Sequence, residues 1–527
     1  MGTTYDAIII GGGHNGLVTA AYLAKAKWKV LVLERRYIVG GACVSEETFP
    51  GYKVSTAAYV NSLFRPEIVR DLRLKDYGFE AIERNPASFS PFLDGRYLML
   101  GRSPREDLEE IAKFSTKDAA AYPKYEAMLE RVAHVIEPTL VQIPPNVLSP
   151  SIGDLLNMGS MGLAMRKMGP NMNEAIEILT GAARPILDRW FESEELKGTI
   201  ATDAIIGAFM APSMPGTAYV LFHHVMGETN GKKGVWAYMR GGMGGLTQAL
   251  ARAATDLGVE IKTEAEVAKI VTKGDTAIGV TLANGDVYYA KKIASCVDMH
   301  HTFERFMDPA ILPDNFRAAM GRIAYDSASV KINVAIDRLP SFAALPGREA
   351  GPQHHGTVHF CPTQDFIERA YDDAKYGYPS KEPVVEMCLP SSLDDTIAPP
   401  GKHLASMFVQ YAPYTLKDGP WTDAIKNEFA DRCFDIVEQY APGFKSSVMD
   451  RQILTPVDIE ETFGLTGGNI FQGTMPMHNL YMFRPVPGYA NYKTPIKNLY
   501  MCGSAAHPGG GVMGAPGWNA ARVMLKG

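Results

Sequence analysis

A glycine-rich turn near the N-terminus constrains the fold of this chain more than any other feature. The segment reads YDAIIIGGGHNGLVTAAYLAKAKWKVLVLERR, and Gly11, Gly13 and Gly16 form the pattern G-x-G-x-x-G within it. The continuous apolar run AIII is typical of a strand buried on both faces, the alanine-rich stretch predicts a helix, and KVLVLE predicts a second strand. Strand, tight turn, helix and strand in this order predict a parallel α/β unit of the Rossmann type.

Each glycine of the turn has a physical role in binding a dinucleotide. Gly11 permits the tight turn, Gly13 lets the backbone approach a pyrophosphate, and Gly16 lets the helix pack closely on the strand. The helix N-terminus offers free N–H groups and a partial positive charge to the phosphates, and Glu34 at the end of the second strand can accept hydrogen bonds from a ribose. We therefore expect contacts from the turn and its flanks, namely Gly11, Gly13, His14, Asn15, Gly16, Leu17, Glu34 and Arg35.

Two distant segments bear on whether the dinucleotide is FAD or NAD. Residues 241–297 predict a helix followed by short alternating strands with turns at Gly274 and Gly285. Near the C-terminus, KNLYMCGSAAHPGGGVMGAPGWNAARVML predicts a strand ending at Cys502, a glycine-rich loop and a closing helix. A second helix N-terminus would then face the same ligand. This arrangement suits a flavin, because a reduced flavin carries negative charge near N1.

The glycine turn, Glu34, Gly40-Gly41, the 241–297 unit and the segment HPGGGVMG together resemble the phytoene desaturase-like branch of the FAD-dependent amine oxidase superfamily. The resemblance covers nearly the whole chain. It implies non-covalently bound FAD, with Val267 meeting the adenine through its backbone. It also departs from the superfamily at two positions, since Ser504 stands where an acid is common and Ala42 where arginine is common. The further FAD contacts that it implies are Gly40, Gly41, Ala42, Val267, Gly503, Ser504, His507, Val512 and Met513.

The implied fold is α/β (α+β), with a discontinuous Rossmann-type FAD-binding domain of the glutathione reductase/amine oxidase type, a mixed-sheet substrate domain and a helical insert. The methionines 161, 165, 168 and 172 of the insert recur at helical spacing. They either fill a core or form a pliable apolar wall, or a surface that touches a membrane. The predicted segments are 1–90, 235–300 and 490–527 for the FAD domain, 91–234 for the insert, and 301–489 for the substrate domain.

Cys43 follows a Gly-Gly turn, as does the first cysteine of the redox pair in flavin disulfide reductases. No second cysteine follows it within a few residues, and the six cysteines of the chain are widely spaced. The sequence contains no second G-x-G-x-x-G after a strand, so nothing in it indicates a separate NAD(P)H-binding unit. We therefore expect Cys43 to be a small residue packed beside the flavin phosphates, and most of the six thiols to be reduced and buried.

Lys331 is the candidate catalytic residue. It lies in SVKINVAID, where apolar residues alternate with a mixed face that holds the lysine. The resemblance implies that a lysine on a comparable strand holds a water near flavin N5; the alternative is a lysine that faces solvent. Histidines occur as adjacent pairs, which point to opposite faces of a strand, so we expect no metal site.

Composition limits the classes of partner. Charged residues are 21% of the chain and the formal net charge is -6, so nothing indicates nucleic acid. No apolar run reaches the roughly 18 residues of a membrane span. The first strand begins by Tyr5, which leaves no room for a targeting peptide, so a cytoplasmic protein is expected, with peripheral membrane contact and homo-oligomers left open.

The expected activity is an FAD-dependent oxidoreductase that takes a hydride from an apolar substrate, isoprenoid or lipid-like, and is reoxidised by oxygen or a quinone. Three alternatives stay open at this point. They are redox-neutral isomerisation of a polyene, oxidation of an amine, and a flavin-bearing protein that acts mainly as a partner or stability factor.

Overall fold

The computed structural model describes residues 4–527, and its N-terminal half-unit follows the predicted strand, helix and strand. Thr4–Ile10 and Val30–Leu33 pair in parallel, and Ile8, Ile9 and Leu31 are completely buried. Burial on both faces explains the unbroken apolar runs. The Rossmann-type fold predicted from the glycine turn is therefore confirmed.

The first sheet joins strands from three distant parts of the chain. Thr4–Ile10 pairs in parallel with Val287–Ser295, which in turn pairs in parallel with Leu499–Met501. The N-terminal, middle and C-terminal segments thus meet in one sheet, which positions their loops at a common edge. In order across the sheet the strands are Glu260–Lys262, Val30–Leu33, Thr4–Ile10, Val287–Ser295, Thr276–Leu282 and Val267–Lys273, with Leu499–Met501 on Val287–Ser295.

Helices pack on this sheet through small side chains. His14–Lys25 contacts both Gly244–Asp256 and Ala515–Lys526. The buried faces of these helices are rich in alanine and glycine, which lets the helix axes approach closely. The shorter helix Pro66–Asp71 lies beside them and buries Ile68.

The second sheet is mostly antiparallel and carries Lys331. Its strands in order are Val448–Leu454, Ser329–Ile336, His403–Gln410, Val384–Cys388, Thr357–Phe360, Ser88–Pro91 and Tyr97–Leu100, and only the contact between Thr357–Phe360 and Ser88–Pro91 is parallel among the described residues. Helix Asp423–Tyr440 covers one face through Phe429 and Phe434. The remaining helices of this part are Asp314–Met320, Pro352–His355, Gln364–Lys375 and Pro456–Phe463. The two-stranded pairs are Ser45–Phe49 with Tyr52–Ser55, Ala81–Glu83 with Ala237–Met239, and Glu228–Thr229 with Lys232–Lys233.

The insert is mainly helical, but its predicted start needs correction. The boundary at residue 90 falls inside Ser88–Pro91, and Tyr97–Leu100 pairs with that strand in the second sheet. In the second sheet the hairpin buries Phe89, Leu98 and Met99. The helices of the insert are Pro104–Ala112, Thr116–Ile136, Ile152–Lys167, Met172–Thr180, Ala183–Trp190, Glu194–Ala201 and Thr217–Val225.

The methionine series of the insert is split between two helices. Ile152–Lys167 ends before Met168, and Met172 starts the next helix, with Gly169 at φ +58° between them. No residue of Ile152–Lys167 is fully buried, so this helix lies on the surface of the protein, with Met165 packed against a hydrophobic core. Within residues 4–527, no helix is both long and apolar enough to cross a bilayer.

Candidate cofactor site

A cavity of about 350 Å³ runs between the two sheets, and we call it the cofactor cavity. The edge of the first sheet, the 40–43 turn and the C-terminal glycine loop form its walls, together with Lys331 from the second sheet. Most sequence-predicted contacts lie in these walls. They are Gly11, Gly13, His14, Asn15, Glu34, Arg35, Gly40, Gly41, Ala42, Val267, Ser504 and Val512.

The three glycines of the turn have different structural roles. Gly11 has φ +93°, a conformation that favours glycine. A Cβ atom on Gly16 would lie 2.3 Å from the Gly11 carbonyl oxygen, so Gly16 is required for helix packing. A Cβ atom on Gly13 would meet only Cys296 Sγ, at an ordinary 3.7 Å. The protein itself therefore leaves the space beside Gly13 free for a ligand.

The N-terminus of helix His14–Lys25 suits an anion. Gly13 is its N-cap, no side chain caps it, and its first turn holds no acidic residue. His14 Nε2 and Asn15 Oδ1 are buried without a hydrogen-bond partner among the described residues. Burial lowers the pKa of His14 to about 4, so its ring is neutral and offers a hydrogen bond. These orphaned atoms and the helix dipole match a pyrophosphate.

Glu34 has the geometry of a ribose-binding carboxylate. Its Oε2 accepts a hydrogen bond from Gly12 N at 2.8 Å, and its Oε1 accepts one from Arg36 N at 3.0 Å. Each oxygen keeps a free lone pair, and Glu34 lines the cofactor cavity at 5% exposure. Beside it, Arg36 Nη1 is buried without a partner among residues 4–527, an additional polar group that the sequence interpretation did not select.

Five predicted contacts lie outside the cavity wall. Leu17 and Met513 are packed in hydrophobic cores, and Gly16 and Gly503 are needed where backbones meet. A Cβ atom on Gly503 would lie 2.3 Å from Cys296 O. The His507 ring points away from the cavity wall, since its Nε2 lies 2.8 Å from Thr139 O. These five residues support the walls of the cofactor cavity from behind and do not line it.

Arg484 is a residue that sequence reasoning missed. It is completely buried, and its guanidinium donates to the carbonyl oxygens of Phe471, Gly473, Thr474 and Ser504. Burial lowers its pKa to about 10. Arg484 thus ties the loop that carries Phe471 and Gln472 to the C-terminal glycine loop. No local motif marks this residue, because its partners are backbone atoms.

Lys331 is buried, which corrects the alternative of a solvent-facing lysine. Only 2% of its surface is exposed, and the whole strand Ser329–Ile336 is buried on both faces. Its Nζ donates to Asn333 Oδ1 at 2.5 Å and to the Ser406 hydroxyl, and lies 5.3 Å from the ring centroid of Tyr59. No carboxylate of the described residues forms an ion pair with it, and burial lowers the pKa of Lys331 to about 7. The mixed face of the strand is buried because it packs on the N-terminal segment, where Asn333 Nδ2 donates to Thr56 O.

Cys43 lines the cofactor cavity as a protonated thiol. It is 1% exposed, and burial raises its pKa to about 12, so little reactive thiolate forms. All six cysteines are free and buried. The Gly-Gly-x-Cys segment at residues 40–43 therefore serves as a turn, with Gly40 and Gly41 at φ +131° and +57°.

The cavity residues fit FAD. The open space at Gly13, the uncapped helix and the free lone pairs of Glu34 provide the surroundings of a pyrophosphate and a ribose. Ser504 and Val512 of the C-terminal loop line the same cavity next to Phe471 and Gln472, where a flavin ring and its side chain would be held. Bound FAD would supply the redox chemistry, and this chain would supply its position and electrostatic field.

Comparisons with known proteins agree with this geometry. Residues 9–72 match the model of an NAD(P)-binding Rossmann-like domain, and residues 207–525 match that of flavin containing amine oxidoreductase. Pyridine nucleotide-disulfide oxidoreductase domain-containing protein 2 from Rattus norvegicus is 45% identical over 99% of this chain and 93% of its own length. The lycopene-forming phytoene desaturase from Pseudescherichia vulneris is 24% identical, covering 96% of each chain.

Solved structures show the same fold. Cyclohexylamine oxidase from Brevibacterium oxydans superimposes with a TM-score of 0.59 over 99% of both chains, at 17% identity. The family predicted from the sequence is therefore confirmed, as is a flavin cofactor. This chain belongs to the flavin-containing amine oxidoreductase family.

Proposed function

We propose that this flavin oxidoreductase removes a hydride from a C–H bond in the apolar part of its substrate. The observation that carries the proposal is the lining of the cofactor cavity beyond the glycine turn. Its wall there is built by large apolar side chains, with one buried amine among them: Leu63, Ile206, Val330, Lys331, Phe408, Ile470 and Phe471. The name of the phytoene desaturase relative states a reaction on a hydrocarbon, which supports an apolar substrate.

These side chains would act by position and by excluding water. A C–H bond held against the hydride-accepting ring of FAD gains an effective concentration that free solution does not provide. Phe408 stacks on Tyr59 at 5.9 Å, and Tyr59 in turn faces Lys331. The amine at this wall would hold a water near the reacting atoms.

The two electrons must then leave the flavin. No second nucleotide-binding motif exists in the sequence, so oxygen or a quinone is the proposed acceptor. The competing functions are oxidation of an amine, redox-neutral isomerisation of a polyene, and a role only as a partner or stability factor, and one experiment separates them.

The experiment mixes the flavin-loaded protein anaerobically with polyenes, prenyl alcohols and alkylamines. Under the proposal, at least one apolar compound bleaches the visible flavin absorbance, and oxygen or a soluble quinone restores it. An isomerase would convert a polyene only after prior reduction of the flavin, without net bleaching. Bleaching by none of the compounds, together with cellular rescue by a variant that binds FAD but is redox-dead, would favour the partner role.

We further propose that the surface helix Ile152–Lys167 contacts a lipid surface from which an apolar substrate is drawn. Ile152, Leu156 and Leu163 are 79%, 70% and 53% exposed. At about 100° per residue they fall within roughly 40° of one another on one face. Arg166 and Lys167 end the helix, and its single acid, Asp154, is engaged in a capping box with Ser151. An aliphatic face flanked only by cations matches an anionic bilayer better than a second copy of this acidic chain.

Replacing Leu156 and Leu163 by glutamate is expected to abolish most binding to vesicles of phosphatidylcholine and phosphatidylglycerol in a flotation assay. The matched control carries glutamate in place of Leu93 and Tyr376, which are both 64% exposed but lie outside this helix. It should float like wild type. Light scattering on the same samples tests self-association. Equal flotation of all three proteins, or a dimer that only the Leu156/Leu163 variant loses, contradicts the lipid assignment.

A further inference from the structure

A second cavity of about 720 Å³ adjoins the cofactor cavity, and we call it the side chamber. Both cavities are lined by the same boundary residues: Tyr59, Val60, Ile206, His224 and Trp236. The side chamber extends from this boundary between helix Thr116–Ile136 and the second sheet. A ligand that reaches the flavin can therefore place its far end in the side chamber.

The side chamber is not an apolar tunnel, because carboxyl groups line it from its mouth to its inner end. Glu137 is neutralised by Arg65 and Lys233. The other five carboxyls have no lysine or arginine within 4.0 Å among the described residues. They are Asp107, Glu126, Glu130, Asp203 and Glu386.

Glu386 gives this acidic lining a second, independent indication of a ligand. It is 5% exposed, and its Oε1 is buried without a hydrogen-bond partner in the described chain. His359 Nδ1 lies 3.2 Å from Oε1, but it also lies 3.1 Å from Thr202 Oγ1. A buried carboxylate oxygen left without a donor is costly unless a ligand supplies one.

Asp203 also lines the side chamber and lies close enough to Glu386 to feel its charge. Within residues 4–527 no donor reaches its carboxyl group, although its backbone carbonyl meets His224 Nδ1 at 3.1 Å. Burial, and then the charge of Glu386, raise the pKa of Asp203 to about 7. Like charges also raise the pKa of Glu126 at the mouth, in addition to its burial. A positive charge between these groups would relieve the repulsion.

We propose that the side chamber binds the cationic nitrogen of an amphipathic substrate whose carbon chain extends into the cofactor cavity. This inference rests on the proposed function for the oxidised end and adds a recognition site at the other end. Asp203 and Glu386 would pair with the cation at the inner end, and Asp107, Glu126 and Glu130 would attract it at the mouth. The substrate class is therefore an alkylammonium compound rather than a plain hydrocarbon.

Arg84 is the guanidinium that lines the side chamber within the described part of the chain, and its charge opposes this assignment. It is 6% exposed, its Nη1 donates to Thr357 Oγ1 at 2.6 Å, and its Nε has no partner in the described chain. Its charge lies near the rings of Trp236 and Tyr238, at 5.9 and 5.5 Å from their centroids, which stabilises it without a carboxylate. If the charge of Arg84 outweighed the charges of the carboxyl groups, the side chamber would bind an anion more tightly than a cation. The experiment below includes an anionic probe for this reason.

The test compares three probes of equal chain length, hexyltrimethylammonium, hexanol and hexanoate, by titration calorimetry on the flavin-loaded protein at fixed ionic strength. We expect the cation to bind at least about tenfold more tightly than hexanol, equivalent to about 1.4 kcal/mol. In the variant Asp203→Asn/Glu386→Gln, which keeps shape and removes both charges, this preference should disappear. Glu126→Gln at the exposed mouth offers a milder variant if the double variant does not fold, and it should weaken cation binding by a smaller factor.

The outcomes separate this inference from the proposed function. Tighter binding of hexanoate, lost in Arg84→Met, would overturn the cation site, as would a cation affinity unchanged in the carboxyl variants. Flavin absorbance is followed in the same samples without oxygen. If the cation binds but no compound bleaches the flavin, the cation site is supported and the oxidase function is contradicted. If a polyene bleaches the flavin but the cation does not bind, the oxidase function is supported and the cation site is contradicted.

Discussion

Gly13→Val is expected to give a folded protein that contains no FAD. Gly13 has φ -66°, which valine adopts, and a Cβ atom there meets no protein atom closer than 3.7 Å. The branched side chain would instead occupy the space that a pyrophosphate needs at the helix N-terminus. The fold should therefore survive while cofactor binding is lost, which visible absorbance and circular dichroism of the purified variant would show together.

Two other glycines provide contrasts for this experiment. Gly159→Val places its side chain in open space, with no atom within 4 Å, and should keep the flavin. Gly16→Ala puts a Cβ atom 2.3 Å from Gly11 O and should destabilise the protein itself. A Gly13→Val protein that is as yellow as wild type would show that the phosphates do not lie at this turn.

Lys331→Met is expected to slow reoxidation of the photoreduced flavin by oxygen at least about tenfold, equivalent to roughly 1.4 kcal/mol of barrier. The substitution keeps the length of the side chain and removes the amine that lines the cofactor cavity. Because Lys331 touches no carboxylate and lies in the wall, the FAD content should stay unchanged. Stopped-flow absorbance measures the rate, and no substrate is required.

The pH dependence of stability gives Lys331 a second readout. Its pKa is lowered by burial from 10.5 to about 7, so between these values the unfolded chain binds a proton that the folded protein does not. The free energy of unfolding should therefore rise with pH in this window for wild type, and rise less for Lys331→Met. The exposed control Lys381→Met should keep both the slope and the reoxidation rate. Unchanged rates in Lys331→Met would remove its proposed catalytic role.

The sequence predicted the N-terminal unit well because that unit is built from local rules. A turn that needs φ +93° at Gly11, a close contact at Gly16 and a doubly buried strand each leave a mark on the residues involved. The placement of Glu34 follows from the same pattern. The C-terminal loop was recognised as a whole, but the orientation of His507 toward Thr139 depends on a distant segment and had no sequence signal.

The substrate end was less predictable for a physical reason. The side chamber is assembled from strand Val384–Cys388, helix Thr116–Ile136 and residues near Asp203, which are far apart in sequence. An isolated glutamate such as Glu386 in VVEMC looks like any strand residue until the fold buries it. Lys331 shows the same effect, since only the packing of the N-terminal segment on its strand distinguishes a buried amine from an exposed one.

We propose that this fold holds FAD without a covalent bond, and release of the cofactor from the purified protein is the measurement that tests this proposal. The purified protein should be yellow, and heat or acid should release a yellow compound that co-chromatographs with FAD in stoichiometric amount. The precipitated polypeptide should then be colourless. Release of FMN or NAD instead, a flavin that stays attached to the polypeptide, or a colourless protein that FAD does not reconstitute would show that FAD is not the non-covalent cofactor of this protein.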